Sequence, residues 1–324
     1  MKTKSLVFIA LAIMIVFPSF SQESIKPKKR DIHRLDKDYF IPNRFKGKTI
    51  LITGGARGIG KWTAMRAAKE GANVVIMDWL SEGQLVADSL TKAGYHAIFV
   101  KGNIQKDEDC DQMILAAVAK YGKIDYACLN AGVMDGTYSG TPFKWDQDQR
   151  KLMPAIITEA TNEYWNNVFA TNAMGTFKSM RSTLKQFLKQ DNGGAIVVVG
   201  SIAGMIGLSG NPAYVSSKFA VNGLVRNAAI DYAPYGIRVN SVNMAETLTP
   251  MVERAEEFVK ASVSAGEGFG MGALKTQSLL KYCDSEHRGA FPWEQASTIL
   301  YLLSDEASAV TGTVMSTDGG WTDF

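Results

Sequence analysis

From residue 48 onward, short apolar runs alternate with longer stretches in which apolar positions recur every three or four residues. The short runs read as strands covered on both sides, and the longer stretches read as helices. Strands are predicted at Thr49–Thr53, Val74–Met77, Ala97–Lys101, Ile124–Leu129, Ala195–Gly200, Arg238–Val242 and Thr313–Ser316. Helices over Gly60–Glu70 and Asp107–Tyr121 end against Gly71 and Gly122, residues that accept the left-handed conformation closing a helix. Apolar strands separated by helices imply an α/β fold, a doubly wound parallel sheet of about seven strands with helices on both faces. One domain spanning 47–324 is expected, because no linker-like change of composition breaks the alternation. Two segments interrupt it, at about 135–153 after the fourth strand and 246–293 after the sixth. Both lie past the carboxyl ends of strands, where open sheets of this kind bind ligands, so they are expected to shape a substrate site.

The first 46 residues belong to neither pattern. Lys2 and Lys4 precede the apolar run Leu6–Phe17, which Pro18, Ser19, Phe20 and Ser21 follow. A positive start, a short apolar middle and small residues before a cut describe a secretory signal peptide, here 1–21. The run is shorter than the roughly 20 residues that span a bilayer. Export, to a periplasm for example, is therefore preferred over an uncleaved membrane anchor. The arm at 22–46 holds eight basic residues against four acids and reads as a solvated linker or a contact for an anionic membrane surface. A net charge of +3 does not point to nucleic acid. Cys110, Cys128 and Cys283 are too scattered for a disulfide scaffold or a four-cysteine zinc site, and His33, His96 and His287 stand alone, so no metal site is expected.

The first strand runs into Thr53-Gly54-Gly55-Ala56-Arg57-Gly58-Ile59-Gly60 and then a helix. Glycines there let the backbone turn sharply and approach a pyrophosphate, whose charge meets free N–H groups at the helix start. Asp78 ends the second strand, where a carboxylate accepts hydrogen bonds from a ribose 2′-hydroxyl and repels a 2′-phosphate. Arg57 argues the other way, since a cation in the loop can pair with that phosphate or else cover the helix start. NAD is preferred over NADP.

Tyr214 and Lys218 share one face of a predicted helix. A nearby ammonium favours phenolate, which would bring the tyrosine toward use as a general acid and base. Ser201 follows the fifth strand, and its hydroxyl can stabilise charge on a substrate oxygen. Together with the glycine loop, Asn130-Ala131-Gly132, Asn172 and the C-terminal Asp318-Gly319-Gly320, the chain resembles the short-chain dehydrogenase/reductase family from about Phe45 to its end.

That resemblance implies a Rossmann fold and a secondary alcohol–ketone oxidoreductase. Ser201, Tyr214 and Lys218 would be catalytic, and Asn172 would help hold a water linking Lys218 to solvent. Gly54, Arg57, Gly58, Ile59, Gly60, Asp78, Asn103, Ile104, Asn130, Ala131, Gly132, Tyr214, Lys218 and Thr249 would bind the dinucleotide. It also implies a homo-oligomer, a tetramer or dimer. Two departures stand out. Asn103 replaces an aspartate that meets the adenine amino group, though an amide oxygen also accepts. Asn243-Met244-Ala245 stands where the family has Pro-Gly, beside the expected nicotinamide position. Met251, Phe269, Met271, Phe291 and Trp293 either line an apolar pocket or pack beneath a long loop. The alternative is a non-catalytic dinucleotide-binding sensor or scaffold.

Overall fold

A computed structural model describes residues 32–137, 140–266 and 289–323. The signal peptide, the arm up to residue 31, Phe269, Met271, Cys283 and His287 lie outside the described residues. Seven strands form one parallel sheet: β1 (Thr49–Thr53), β2 (Asn73–Asp78), β3 (His96–Lys101), β4 (Tyr126–Leu129), β5 (Gly194–Val199), β6 (Ile237–Met244) and β7 (Val314–Thr317). Their spatial order is β3-β2-β1-β4-β5-β6-β7. This is a Rossmann fold in a single domain, as the alternating pattern predicts.

Strand alternation sends Ile50 and Ile52 to one face of the sheet and Leu51 to the other, and all three are fully buried. On the first face lie α1 (Gly58–Lys69), α2 (Glu82–Lys92) and α9 (Pro292–Leu303). On the second lie α3 (Asp107–Tyr121), α6 (Thr176–Gln190) and α7 (Pro212–Tyr232). Gly122 closes α3 at φ 81°, the left-handed geometry that its position predicts.

The segments past the strands contain helices that the sequence reading left as loops. The first includes α4 (Gln147–Arg150), and the second opens with α8 (Pro250–Ser264), capped by Thr249 and started by Pro250. Between them α5 (Asn162–Phe169) runs through a π-helical turn, Ala170–Gly175, into α6. A π turn inserts an extra residue into the ladder and frequently sits at functional sites.

The chain ahead of β1 also packs. Phe45 lies in the core, and Glu70 takes hydrogen bonds from the Arg44 and Arg66 guanidinium groups and the Ile41 backbone N–H. Trp293 donates its indole N–H to the Leu35 carbonyl and stacks on Phe291.

Candidate functional site

Strand order reverses between β1 and β4, and the loops leaving those two strands diverge over a crevice. A cavity of about 650 Å³ opens there. Its wall includes Gly54, Arg57, Gly58, Ile59, Asp78, Asn103, Ile104, Asn130, Ala131, Gly132, Ser201, Tyr214, Lys218 and Thr249. Gly60 and Asn172 lie behind that wall rather than in it.

The glycine cradle is fixed by close backbone approach. Gly54 has φ 68°, and a Cβ there would lie 2.8 Å from the Ala131 Cα. A Cβ on Gly60 would lie 2.2 Å from the Gly54 carbonyl oxygen, so any side chain would push the loop out of shape. Asn130 Nδ2 donates to that carbonyl, and the Thr53 hydroxyl accepts from the Asn130 and Ala131 N–H groups. Thr53 thus ties β1 to β4, a role that the sequence reading did not give it. Thr249 caps α8 and places its methyl group against Gly58.

At the end of β2, Asp78 accepts from the Ala56 and Leu80 N–H groups, one at each carboxylate oxygen. Burial raises its pKa, and those two bonds oppose the rise. Arg57 pairs with Glu82, so its charge is already answered by a carboxylate. Asn103 turns inward on its own loop, where its amide oxygen accepts from the Gln105 N–H and its backbone N–H donates to Asp109. One lone pair of that oxygen remains for another donor. The residues of the cradle fit a dinucleotide: a tight turn that Gly54 and Gly60 allow, backbone of Gly54 and Gly58 facing the cavity, then a carboxylate at the end of β2.

On the far side of the crevice, Ser201, Tyr214 and Lys218 come together and are all buried. The Ser201 hydroxyl lies near enough to the Tyr214 phenol to lower its pKa, and its oxygen accepts from the Ala203 N–H. Lys218 Nζ donates to the Val199 carbonyl and lies 5.7 Å from the Tyr214 ring centroid. Burial pushes the Lys218 ammonium down to about 8. Burial also raises the Tyr214 phenol, against a lowering by Ser201. The expected depression of Tyr214 by Lys218 is therefore absent from the protein by itself. Nζ spends its contact on a carbonyl, and removing the phenolate from water costs more than the neighbouring charge returns.

Asn172 sits in the π turn. Its amide oxygen accepts from the Val133 N–H, while its amide nitrogen donates to the Val133 carbonyl and the Ser217 hydroxyl. These bonds pin the loop after β4 to α7. A Cβ on Gly132 would lie 3.2 Å from the Asn172 oxygen and 3.6 Å from Lys218 Nζ, which puts the three residues side by side.

The remainder of the cavity is largely apolar, with Met134, Met153, Leu208, Met251, Phe258 and Val259 in its wall beside the charged Asp135, Glu246 and Arg254. Of the aromatic and methionine candidates, Met251 lines it, whereas Phe291 and Trp293 stack near Trp62 outside it. Arg254 of α8 closes one side. Its guanidinium donates to Asp135, Thr137, the Thr141 carbonyl and Gln149, and lies over the Phe143 ring. Sequence reading missed Arg254, because its partners lie more than a hundred residues earlier.

At the position of the family's Pro-Gly, β6 continues into Met244. The strand runs through Met244, pairing Asn243 with Ser316 and Met244 with Thr317 of β7. Methionine supplies the backbone N–H that proline lacks, so the ladder can continue.

Comparison with known proteins agrees with this geometry. A family model described as short chain dehydrogenase matches residues 48–260. A 3beta-hydroxysteroid dehydrogenase of Mediterraneibacter gnavus is 36% identical over 290 residues, covering 88% of this chain and 98% of its own. A cyclohexanol dehydrogenase of an Acinetobacter species is 33% identical, covering 87% and 98%. The crystal structure of a levodione reductase superposes with a TM-score of 0.72 at 26% identity, over 86% of this chain and 99% of that one.

Proposed function

The chain belongs to the short-chain dehydrogenase family, NAD(P)-dependent oxidoreductases of alcohols and ketones, and from that premise we propose that it interconverts an alicyclic secondary alcohol and its ketone with NAD. The single observation that carries this is the meeting of buried Ser201, Tyr214 and Lys218 in the wall of a largely apolar cavity. Named relatives acting on a steroid and on cyclohexanol support a cyclic substrate.

The substrate oxygen sits between the Ser201 hydroxyl and the Tyr214 phenol. Ser201 donates to it and steadies developing charge. Tyr214 takes the proton from the alcohol in oxidation and gives one to the carbonyl in reduction. A phenol raised by burial is held protonated, the form needed to reduce a ketone; oxidation needs the phenolate, which the protein by itself disfavours and which the positive nicotinamide of a bound oxidised dinucleotide would favour. Gly54, Gly58, Gly60, Asp78, Asn130 and Thr249 would hold the dinucleotide, which when bound supplies the hydride acceptor or donor. Asp78 with Arg57 already paired to Glu82 supports NAD, because a 2′-phosphate would meet a carboxylate and no spare cation. The intact group of Ser201, Tyr214 and Lys218 supports catalysis over a purely cofactor-binding role.

Assays of cyclohexanol and a 3β-hydroxysteroid with each dinucleotide test this. Tyr214→Phe is expected to lower turnover by about a hundredfold or more while NADH binding persists, and NAD is expected to give the higher kcat/KM. Wild-type turnover in Tyr214→Phe overturns the assignment of the proton donor.

Two wider elements complete the proposal. The chain is exported with cleavage after Ser21, on the strength of the Lys2–Ser21 pattern. It assembles as a homo-oligomer, supported by the exposed Trp165 on α5, Met174 in the π turn, Phe177 on α6 and Phe219 and Ile230 on α7.

A further inference from the structure

Behind Ser201 lies a closed ring of three polar side chains, Asn222, Ser241 and Asn243, all buried. Asn243 Oδ1 accepts from the Ser201 N–H at 3.1 Å and from Asn222 Nδ2 at 3.0 Å. Asn243 Nδ2 donates to Ser241 Oγ at 3.0 Å, and that hydroxyl donates to Asn222 Oδ1 at 2.9 Å. Asn222 Nδ2 also donates to the Gly204 carbonyl at 3.0 Å. The Ser201–Gly204 turn is therefore held at both ends by this ring.

Two features show that the ring is built into the fold. A Cβ on Gly200 would lie 2.2 Å from Asn243 Oδ1, so the residue before Ser201 must be glycine for Asn243 to reach. Asn222 lies one helical turn beyond Lys218 on α7, and Lys218 lies one turn beyond Tyr214. The face of α7 that presents Tyr214 and Lys218 thus also carries the residue that grips the Ser201 turn. A buried polar group with every partner in place fixes geometry, whereas one with a missing partner costs stability and lets its neighbours shift.

We propose that Asn243, locked by Ser241 and Asn222, is a positioning residue that sets the distance between the Ser201 hydroxyl and the Tyr214 phenol. It acts from the segment in which Met244-Ala245 replaces Pro-Gly. The proposal rests on the reading of Ser201 and Tyr214 as the pair that meets the substrate oxygen.

A double-mutant cycle with the full mature chain tests it. Ser201→Ala alone is expected to lower kcat by about a hundredfold. Unchanged turnover in that variant overturns the reading beneath the proposal, independently of Asn243. Asn243→Ala is expected to lower kcat by about ten- to a hundredfold, the scale of a small misplacement, with the KM for NAD within about twofold of wild type. In the Ser201→Ala background, Asn243→Ala is expected to change kcat by less than about twofold, since nothing remains for it to aim. Equal losses in both backgrounds, or a KM for NAD that rises with the fall in kcat, overturn the proposal. Should Asn243→Ala fail to fold, Ser241→Ala removes one link of the ring with a smaller volume change and runs the same cycle. Its expected loss is smaller and vanishes likewise without the Ser201 hydroxyl, and an unchanged kcat in Ser241→Ala overturns the proposal.

Discussion

Lys218 is held in the charged site at a cost to the fold. Its pKa is pushed down to about 8 by burial, against 10.5 in an exposed lysine, so below about pH 8 the folded protein carries a buried ammonium. Between about 8 and 10.5 the unfolded chain binds the proton that the folded chain has released, and stability rises with pH across that window. Lys218→Met, which keeps much of the volume and removes the charge, is therefore expected to abolish activity yet stabilise the protein at pH 7. The gain should be on the order of 2 kcal/mol, after allowing for the lost bond to the Val199 carbonyl. It should shrink as pH rises and give way to a small net destabilisation near pH 10.5, where only the lost bond remains. Urea titrations of both proteins at pH 7 and 10 check the sign, and a destabilised Lys218→Met at pH 7 would count against it. The residues legible in the sequence are those whose partners are near in the chain: the glycine loop, and Tyr214 with Lys218 one turn away. Asn222, Ser241 and Asn243 were illegible, because one asparagine on a helix and two polar positions within an apolar strand carry no signal until α7 and β6 are side by side.

At the scale of elements, strand positions were readable because parallel strands buried on both faces leave unbroken apolar runs. Thr49–Thr53 and Asp107–Tyr121 match their predicted bounds. The helix α8 was not read as one, because its fifteen residues lie inside a segment expected to form a ligand loop. Its cap and proline were visible locally, but its purpose depends on Arg254, which joins α8 to the 135–149 segment. This contact makes two excursions from different strands into one wall of the cavity. Arg254→Ala removes four donated bonds and leaves the Asp135 carboxylate without its cation. The expected result is a KM for the alcohol raised about tenfold, equivalent to roughly 1.4 kcal/mol, with kcat less affected. Hydrogen exchange over 140–150 should quicken. A variant with unchanged KM and unchanged exchange would show that the two segments hold their places separately.

For the whole molecule, the ion group of Arg44, Arg66 and Glu70 fastens the chain ahead of β1 onto α1, so the folded body begins before the Rossmann strands do. Native mass spectrometry of protein from its own compartment is expected to show a chain starting at Gln22 and a mass that is a multiple of one chain. A start at Met1 would contradict cleavage, and a monomer at micromolar concentration would contradict assembly. The pairing of β1 with β4 carries a consequence for such a protein. The dinucleotide cradle needs Gly54 from one strand and Asn130 from the other, joined through Thr53. Those residues are remote along the sequence and meet only after β2 and β3 have been made and set aside. A chain that ends before β4 therefore lacks part of the cradle, and binding free energy stabilises only the fold in which the two strands have paired. Were the chain exported unfolded, as proposed, it would arrive empty, and its dinucleotide would have to be supplied where it folds.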